Sequence, residues 1–253
     1  MKICRYDDAG APAWGVVEDD QVFALRGDPF GGHQRGILVG ELASTRLLAP
    51  CAPSKVVCAG RNYRSLLEAQ GREVPKEPFL FLKASTTVVG PNSPVYRPEG
   101  VSDFVYEGEL GAVIGRRASG LTAEEAAGAI LGYTCGNDMT VRDWQDPSAQ
   151  WWRAKSSDTH CPLGPWIETD FEPAKARVQT LVNGAVRQDG TTDDLVFDVN
   201  QLVAYVSQHM TLLPGDVVLT GTPAGISPVD AGDVIEVRVD GIGSLVNEVV
   251  RWP

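Results

Sequence analysis

Two glutamates separated by one glycine, Glu107 and Glu109, are the residues of this sequence best spaced to hold a cation. Residues two apart on a β-strand share a face, so the two carboxylates are expected side by side. Such carboxylates repel each other unless a proton or a cation relieves them, and Mg²⁺, Mn²⁺ and Ca²⁺ suit oxygen ligands. Gly108 and Gly111 leave room for a close approach to the backbone. Taken alone, the pair is more typical of a solvated strand face.

A third carboxylate, Asp138, follows an apolar strand expected at Ile130–Thr134 and is a candidate to complete the ligand set. Its alternative role is to cap the turn that follows, which is a frequent function of aspartate. On the strand that carries the two glutamates, the alternate positions Leu110, Ala112 and Ile114 are expected to face the core.

Two later segments can supply groups for an anionic ligand. Lys155 lies among small residues, where its charge can meet a substrate carboxylate, although a surface lysine is the commoner arrangement. The segment Leu219–Gly225 is a strand that runs into a tight turn. Thr222 and the backbone amides of that turn can hydrogen-bond an anionic oxygen, but taken alone the segment is simply a turn.

The elements that position these residues are mostly strands. Two helices are expected: one starts at the capping box Thr122–Glu125 and continues over Ala126–Leu131, and the other covers Asp198–Gln208. Many strands, few helices and glycine-rich turns predict a β-dominated α+β fold and not a doubly wound sheet. The expected strands of this region are Lys55–Ala59, Phe79–Lys83, Phe104–Gly115, Val178–Val182, Asp216–Thr220, Asp233–Val239 and Gly243–Val250.

The first 50 residues are expected to form a small β module of their own, followed by a larger domain over residues 51–253. Short strands are expected at Lys2–Tyr6, Ala13–Val17 and Gln21–Ala24. Glycine and proline between residues 27 and 32 then break the pattern.

Composition narrows the class of protein. A chain of 253 residues with 43% hydrophobic content can build one large core. A net charge of −11 argues against nucleic acid as a partner. No apolar run approaches the roughly 20 residues that cross a bilayer, so no membrane association is expected. Five scattered cysteines without a CxxC motif favour free buried thiols over disulfides or zinc, which predicts a cytoplasmic protein.

In their order and spacing, the motifs resemble the fumarylacetoacetate hydrolase superfamily over roughly residues 55–250. The combination is far more specific than any single motif. The matching motifs are Gly60–Tyr63, Glu77–Lys83, Tyr106–Leu110, Gly136–Asp138, Arg142-Asp143 with Gln145, Lys155-Ser156 with Asp158-Thr159, Gly164–Trp166 and Gly221–Gly225.

The resemblance implies a role for each matching residue. Glu107, Glu109 and Asp138 correspond to the ligands of one Mg²⁺, Mn²⁺ or Ca²⁺ ion. The catalytic and substrate-facing groups that it implies are Lys155, Gln145, Thr222, Arg61 and Arg142, and Arg142 can equally be a partner of the carboxylates. It further implies a β-barrel-like roll of mixed sheets, a homodimer, and a small 2-oxo acid as substrate.

One departure from the family pattern bears on the reaction. Hydrolytic members of the family that this chain resembles carry a His-x-x-Glu pair on a lid segment, where the pair activates water. Here Leu66 and Ala69 stand at those positions, and Glu68 is one residue out of register. Of the three histidines, His160 is the nearest substitute, although a packing role is the more expected one.

The remaining residues favour enolate chemistry. We expect a divalent-metal isomerase or decarboxylase of a 2-oxo or 2-hydroxy-dienoic dicarboxylic acid, as in homoprotocatechuate-type aromatic catabolism. One alternative is a C–C hydrolase of the acylpyruvate or fumarylpyruvate type that takes its base from elsewhere. A second alternative is a catalytically silent protein that keeps only the metal site.

Overall fold

Short apolar segments separated by glycine- and proline-containing turns form strands along most of the chain. The structure, a computed structural model, describes residues 1–146 and 150–253. The strands of these residues are β1 Lys2–Asp8, β2 Ala11–Glu18, β3 Gln21–Gly27, β4 His33–Glu41, β5 Leu47–Leu48, β6 Val56–Gly60, β7 Phe79–Lys83, β8 Val88–Val89, β9 Val95–Arg97, β10 Phe104–Val105, β11 Gly108–Ile114, β12 Ile130–Asn137, β13 Thr140–Val141, β14 Cys161–Glu168, β15 Arg177–Val182, β16 Ala185–Thr191, β17 Val217–Leu219, β18 Val234–Val239 and β19 Gly243–Arg251.

The part of the chain that the structure describes has four α-helices between the strands: α1 Arg64–Ala69, α2 Ala123–Ala126, α3 Trp152–Lys155 and α4 Val199–His209. Thr122 caps α2 through the predicted capping box, and Asp198 caps α4 through a capping box that was not predicted. Helix α2 ends at Ala126, earlier than the expected end at Leu131. A 3₁₀ turn follows at Ala127–Ala129, and the next two residues already belong to β12, where Ile130 pairs with β11.

The strands form mixed sheets, which confirms the predicted β-dominated α+β fold. The large sheet has the order β4-β3-β2-β1-β14-β12-β11-β17-β6-β7, with β5 on β1 and β8 on β14. A second sheet has the order β16-β15-β18-β19-β9, and β10 pairs with β13. Most pairs are antiparallel, but β14 runs parallel to β8, β17 parallel to β6 and β19 parallel to β9. The described strands do not close into a barrel.

The largest core cluster lies where the second sheet and helix α4 pack on the middle of the large sheet. Leu110, Ala112 and Ile114 of β11 are fully buried there, as the alternation predicted, against Val237 of β18 and Leu202 of α4. This packing leaves the opposite face of β11 for the acidic residues. No helix among the described residues is long and apolar enough to cross a membrane.

Strands β1–β4 extend the large sheet at one edge, through the pairing of Lys2 and Ile3 with β14. Strand β4 was not predicted. Its three central apolar residues, Ile37–Val39, are exposed, and bulges interrupt its pairing with β3, so it shows no alternation of polar and apolar positions. The division after residue 50 stays a prediction.

The five cysteines are free and buried, and burial raises the pKa of each thiol. This agrees with the prediction of scattered buried thiols.

Asp216, directly before β17, stabilises the segment that follows the N-terminal strands. Its fully buried carboxylate accepts hydrogen bonds from the Ser54 backbone at 2.9 Å, the Ser54 hydroxyl at 2.6 Å and the Leu213 backbone at 2.8 Å. Lys55 adds a salt bridge. Burial acts to raise the pKa of Asp216, but the bonds from Lys55 and Ser54 outweigh it and hold that pKa below its ordinary value.

Asp216→Asn should therefore destabilise the fold at neutral pH by about 2–4 kcal/mol, since Lys55 loses its buried anionic partner and the oxygen that accepts from the Leu213 N–H becomes an amide nitrogen. The lowered folded-state pKa stabilises the protein above the unfolded-state pKa of about 3.9, and this contribution is lost as pH falls through the folded-state pKa. Urea unfolding should show that the difference in free energy of unfolding between the wild type and Asp216→Asn becomes smaller as the pH falls. The exposed Asp240→Asn serves as control, and equal losses in both variants would refute the assignment.

Candidate active site

The antiparallel pairing of β11 with β12 brings the three acidic residues together. Gly108 is opposite Asn137, and the Asp138 backbone N–H donates to the Glu107 carbonyl at 2.9 Å. The Asn137 side chain accepts from the Glu107 backbone N–H at 3.0 Å, which fixes the chain just before β11. One oxygen from each of Glu107, Glu109 and Asp138 lies within 4.8 Å of the others.

Two buried lysines face this acidic cluster. Lys155 Nζ donates to Glu107 Oε2 at 2.7 Å and to Asp138 Oδ2 at 2.6 Å. Lys83, the last residue of β7, forms a salt bridge with the other Asp138 oxygen and donates to the Met139 carbonyl at 3.1 Å. Both lysines are at least 98% buried. Lys83 was not predicted as a site residue, although it ends an expected strand within a family motif.

The burial of these charges shifts their pKa values. Burial raises the pKa of Glu107, partly countered by Lys155. Burial, together with the charges of Asp138 and Glu107, raises the pKa of Glu109 well above its usual range. For Asp138, the two lysines outweigh burial and lower the pKa. The pKa of Lys155 is raised by its carboxylate partners against the effect of burial, so this lysine stays a cation.

The donor chemistry fits a divalent cation. Mg²⁺ and Ca²⁺ contact oxygen ligands at about 2.0–2.6 Å, so oxygens this close together can all touch one ion. Three carboxylates and two lysines carry one net negative charge when all are ionised. Glu109 has no lysine partner among the described residues, so its ionised form is the one that a bound cation would stabilise most.

A second layer of hydrogen bonds orients the glutamates. The Gly221 backbone N–H donates to Glu109 Oε2 at 2.7 Å, and the Thr222 hydroxyl donates to the Gly108 carbonyl at 2.8 Å. Gln188 of β16, fully buried, donates to the Thr222 hydroxyl at 2.8 Å and accepts from the Gly108 N–H at 3.0 Å. The donors that sequence analysis assigned to an anionic oxygen are thus engaged in positioning the acidic strand. Thr222 keeps a lone pair for the cavity.

Gly108 is required by a close approach of protein and not of ligand. A Cβ atom at this position would lie 2.0 Å from the hydroxyl oxygen of Thr180 on β15. The glycine between the two glutamates therefore lets the second sheet pack against the acidic strand.

A cavity of about 350 Å³ opens above the acidic cluster. It contains all the substrate-facing residues expected from the sequence. Among its described lining residues, four side chains are cationic and two are anionic. The lining residues are Ala59, Gly60, Arg61, Leu66, Gln70, Arg72, Phe81, Glu107, Glu109, Arg142, Gln145, Trp151, Lys155, Thr222 and Ile226.

The lid segment contributes helix α1 to one wall of this cavity. Leu66 and Gln70, one helical turn apart, line the cavity, whereas Ala69 is exposed and is not among the lining residues. No histidine lines the cavity among the described residues. His160 is fully buried, its Nε2 lies 2.8 Å from the Tyr96 carbonyl, and its ring packs 5.0 Å from that of Phe104. Burial lowers the pKa of His160 to about 4, in keeping with the packing role.

Comparisons with known proteins show the family to which the chain belongs. The sequence model of the family described as "Fumarylacetoacetate (FAA) hydrolase C-terminal" matches residues 55–250, and "Rv2993c-like, N-terminal" matches residues 1–50. "Protein Rv2993c" of Mycobacterium tuberculosis is 48% identical over 83% of this chain and 80% of its own length. "Oxaloacetate tautomerase YisK" of Bacillus subtilis is 36% identical over 88% of this chain and 83% of its own length.

A solved structure supports the same family. The crystal structure described as 5-carboxymethyl-2-hydroxymuconate delta-isomerase from Mycobacterium smegmatis has a TM-score of 0.91 and 43% identity, with 100% of both chains covered. The chain therefore belongs to the fumarylacetoacetate hydrolase superfamily, as its motifs predicted.

Glu109→Gln should weaken Mg²⁺ binding by at least about 100-fold, because even outer partners of metal ligands are worth 10–100-fold. Isothermal titration calorimetry measures this directly. Glu68→Gln, which removes an exposed carboxylate from the lid helix, should bind Mg²⁺ like the wild type. An unchanged affinity in Glu109→Gln would show that the acidic cluster is not a metal site.

Without added cation, the same Glu109→Gln variant should be more stable than the wild type at about pH 8. The raised folded-state pKa of Glu109 means that folding disfavours the ionised form. That penalty is absent below the unfolded-state pKa of about 4.3 and grows as pH rises towards the folded-state pKa. Denaturant unfolding should show a smaller gain at about pH 5 than at pH 8. A variant less stable than the wild type at pH 8 would contradict the burial argument.

Proposed function

We propose that the protein is a divalent-metal enzyme that enolises a small 2-oxo dicarboxylic acid, by tautomerisation or isomerisation of the substrate. The observation that carries this proposal is an acidic cluster at the base of a cavity whose other charged residues are cationic. The chain as a whole has a net charge of −11, so a cationic cavity is a local exception that favours an anionic ligand.

Glu107, Glu109 and Asp138 would hold the cation, which supplies Lewis-acid stabilisation of an enolate when bound. Lys155 Nζ uses two of its three protons on Glu107 and Asp138 and can donate the third to a substrate oxygen. Gln145 and Arg142 line the cavity close to these groups and can bind and orient the anionic substrate. The charge of Arg142 acts on Glu107, where it lowers the carboxyl pKa, so both roles considered for this arginine fit.

The lid favours enolate chemistry over hydrolysis. Leu66 presents an apolar side chain to the cavity, which excludes water and strengthens electrostatic interactions inside it. An apolar side chain cannot accept a proton from water, and no described lining residue is a histidine. Decarboxylation also passes through an enolate and needs no activated water, so it is the related reaction to test beside tautomerisation.

The names of two relatives suggest which substrates to test first. The protein from Bacillus subtilis is named an oxaloacetate tautomerase, and the structure from Mycobacterium smegmatis is described as a delta-isomerase of a hydroxymuconate. Both compounds are acids with at least two carboxylates and an enol or enolisable ketone. A panel of 2-oxo acids should include oxaloacetate, a hydroxymuconate and an acylpyruvate.

With Mg²⁺, wild-type protein should convert the enol and keto forms of a 2-oxo dicarboxylate faster than it hydrolyses fumarylpyruvate or acetylpyruvate. Replacement of the lid residues by a general base, in Leu66→His with Ala69→Glu, should raise hydrolysis by about 10²–10⁴-fold. The matched control Leu66→Asn with Ala69→Gln adds polarity without a base and should not. Rapid metal-dependent hydrolysis by the wild type, measured by product analysis, would refute the proposal.

A further inference from the structure

Three arginines line the cavity without a salt bridge among the described residues: Arg142 is half-buried, whereas Arg61 and Arg72 are exposed. Arg61 directly follows β6, and Arg72 follows helix α1 on the lid segment. Both are exposed to solvent, which places them at the mouth of the cavity. Arg72 was not identified from the sequence.

The fold holds Arg61 in an unusual conformation. Its backbone has a φ of +58°, in the left-handed region that non-glycine residues rarely adopt. Its guanidinium lies 4.7 Å from the centre of the Phe79 ring, a cation–π distance. Backbone strain of this kind persists where the surrounding structure imposes it, and it is concentrated at binding and catalytic sites.

The end of helix α1 directs Arg72 to the same cavity. The Arg72 backbone N–H donates to the Leu67 carbonyl at 2.9 Å, and the Gly71 N–H donates to the Glu68 carbonyl at 3.0 Å. With Gly71 at a φ of +61°, these bonds form a Schellman motif, which reverses the chain at the helix end. A short lid helix therefore brings Arg72, through a defined local structure, to the cavity that Arg61 also lines.

The charges in the cavity divide into an inner and an outer group. Lys155 forms salt bridges with Glu107 and Asp138. Burial raises the pKa of Glu107, and the charges of Lys155 and Arg142 oppose that rise. For Arg61, burial and then the charge of Arg72 lower the pKa, and no carboxylate contributes. Two cations that repel each other are stabilised by a bound anion, and arginine is the side chain best suited to a carboxylate.

We propose that Arg61 and Arg72 form an outer subsite that binds the second carboxylate of a dicarboxylic 2-oxo acid, while its 2-oxo acid end lies at the acidic cluster. This inference rests on the proposed function, since it assumes that the inner end binds a 2-oxo acid. The subsite makes the protein selective for dicarboxylates over 2-oxo acids whose far end is uncharged. The lid thus contributes substrate selection through Arg72 although it lacks the His-x-x-Glu pair.

The test compares ligands that differ only in the distal charge. Calorimetry in the presence of Mg²⁺ measures the binding of 2-oxoglutarate, of its 5-methyl ester, and of oxalate, which is too short to reach both ends. The wild type should bind the diacid more tightly than the ester. Arg72→Gln should weaken binding of the diacid by about 10–100-fold, the range of a charge-assisted pair, and leave the ester and oxalate unchanged.

Two further variants control for charge and folding. Arg72→Lys keeps the charge and should restore part of the preference for the diacid. Arg64→Gln removes an exposed arginine from the same helix, which donates to the Val196 carbonyl at 3.3 Å and does not line the cavity, and should match the wild type.

The outcomes separate the subsite from the function on which it rests. Equal binding of diacid and ester by the wild type, with oxalate still bound, would overturn the subsite and leave the proposed function standing. An equal loss of affinity for all three ligands in Arg72→Gln would also overturn it, because the effect would not depend on the distal carboxylate. If none of the three ligands binds to the wild type, both proposals are refuted.

Discussion

Mutual repulsion among three carboxylates, two buried and one half-buried, is the constraint to which the rest of the site responds. Burying an ionised carboxylate costs several kcal/mol even after relaxation, so groups held this close need compensating charge. Lys83 and Lys155 provide part of it, and both are themselves buried. The pKa of Glu109 nevertheless remains well above its usual range. The fold thus holds an acidic cluster whose charge is only partly balanced by its own residues, which is a state that a divalent cation stabilises.

The backbone around the cluster is arranged to keep that geometry. The register of β11 with β12 brings Glu109 of β11 close to Asp138, which directly follows β12. From two other parts of the chain, Gly221 and Thr222 donate hydrogen bonds to the acidic strand and Gln188 accepts one from it. The residues that stabilise the fold and those that position the carboxylates are therefore largely the same. A site built on strands in this way can hold its ligands in place before a cation or substrate arrives.

The periodicity of one strand made the central part of the site predictable. Alternation along residues 104–115 indicated both the core face and the acidic face, although the structure interrupts this strand at residues 106 and 107. The motif resemblance added Arg61, Arg142, Gln145 and Lys155, all of which line one cavity.

Other residues of the site could not be predicted from the sequence because their roles depend on long-range contacts. Lys83 ends a strand far along the chain from Asp138, and nothing in its local sequence marks it as buried. Gln188 has exposed neighbours on an edge strand, and Arg72 depends on the conformation of a helix end. Strand β4 was missed for a different reason, since bulges remove the alternation by which strands are recognised. A single sequence contains local patterns but not the pairing of distant segments.

The central claim is that a divalent cation at the acidic cluster makes this protein an enolising enzyme. Exchange of the C3 hydrogens of a 2-oxo dicarboxylate for deuterium, followed by NMR in D₂O, measures enolisation without regard to the final product. The wild type with Mg²⁺ should exchange these hydrogens for deuterium rapidly. That exchange should be lost when the cation is chelated or in a folded Glu109→Gln variant. Exchange that is unaffected by both chelator and variant would contradict the claim.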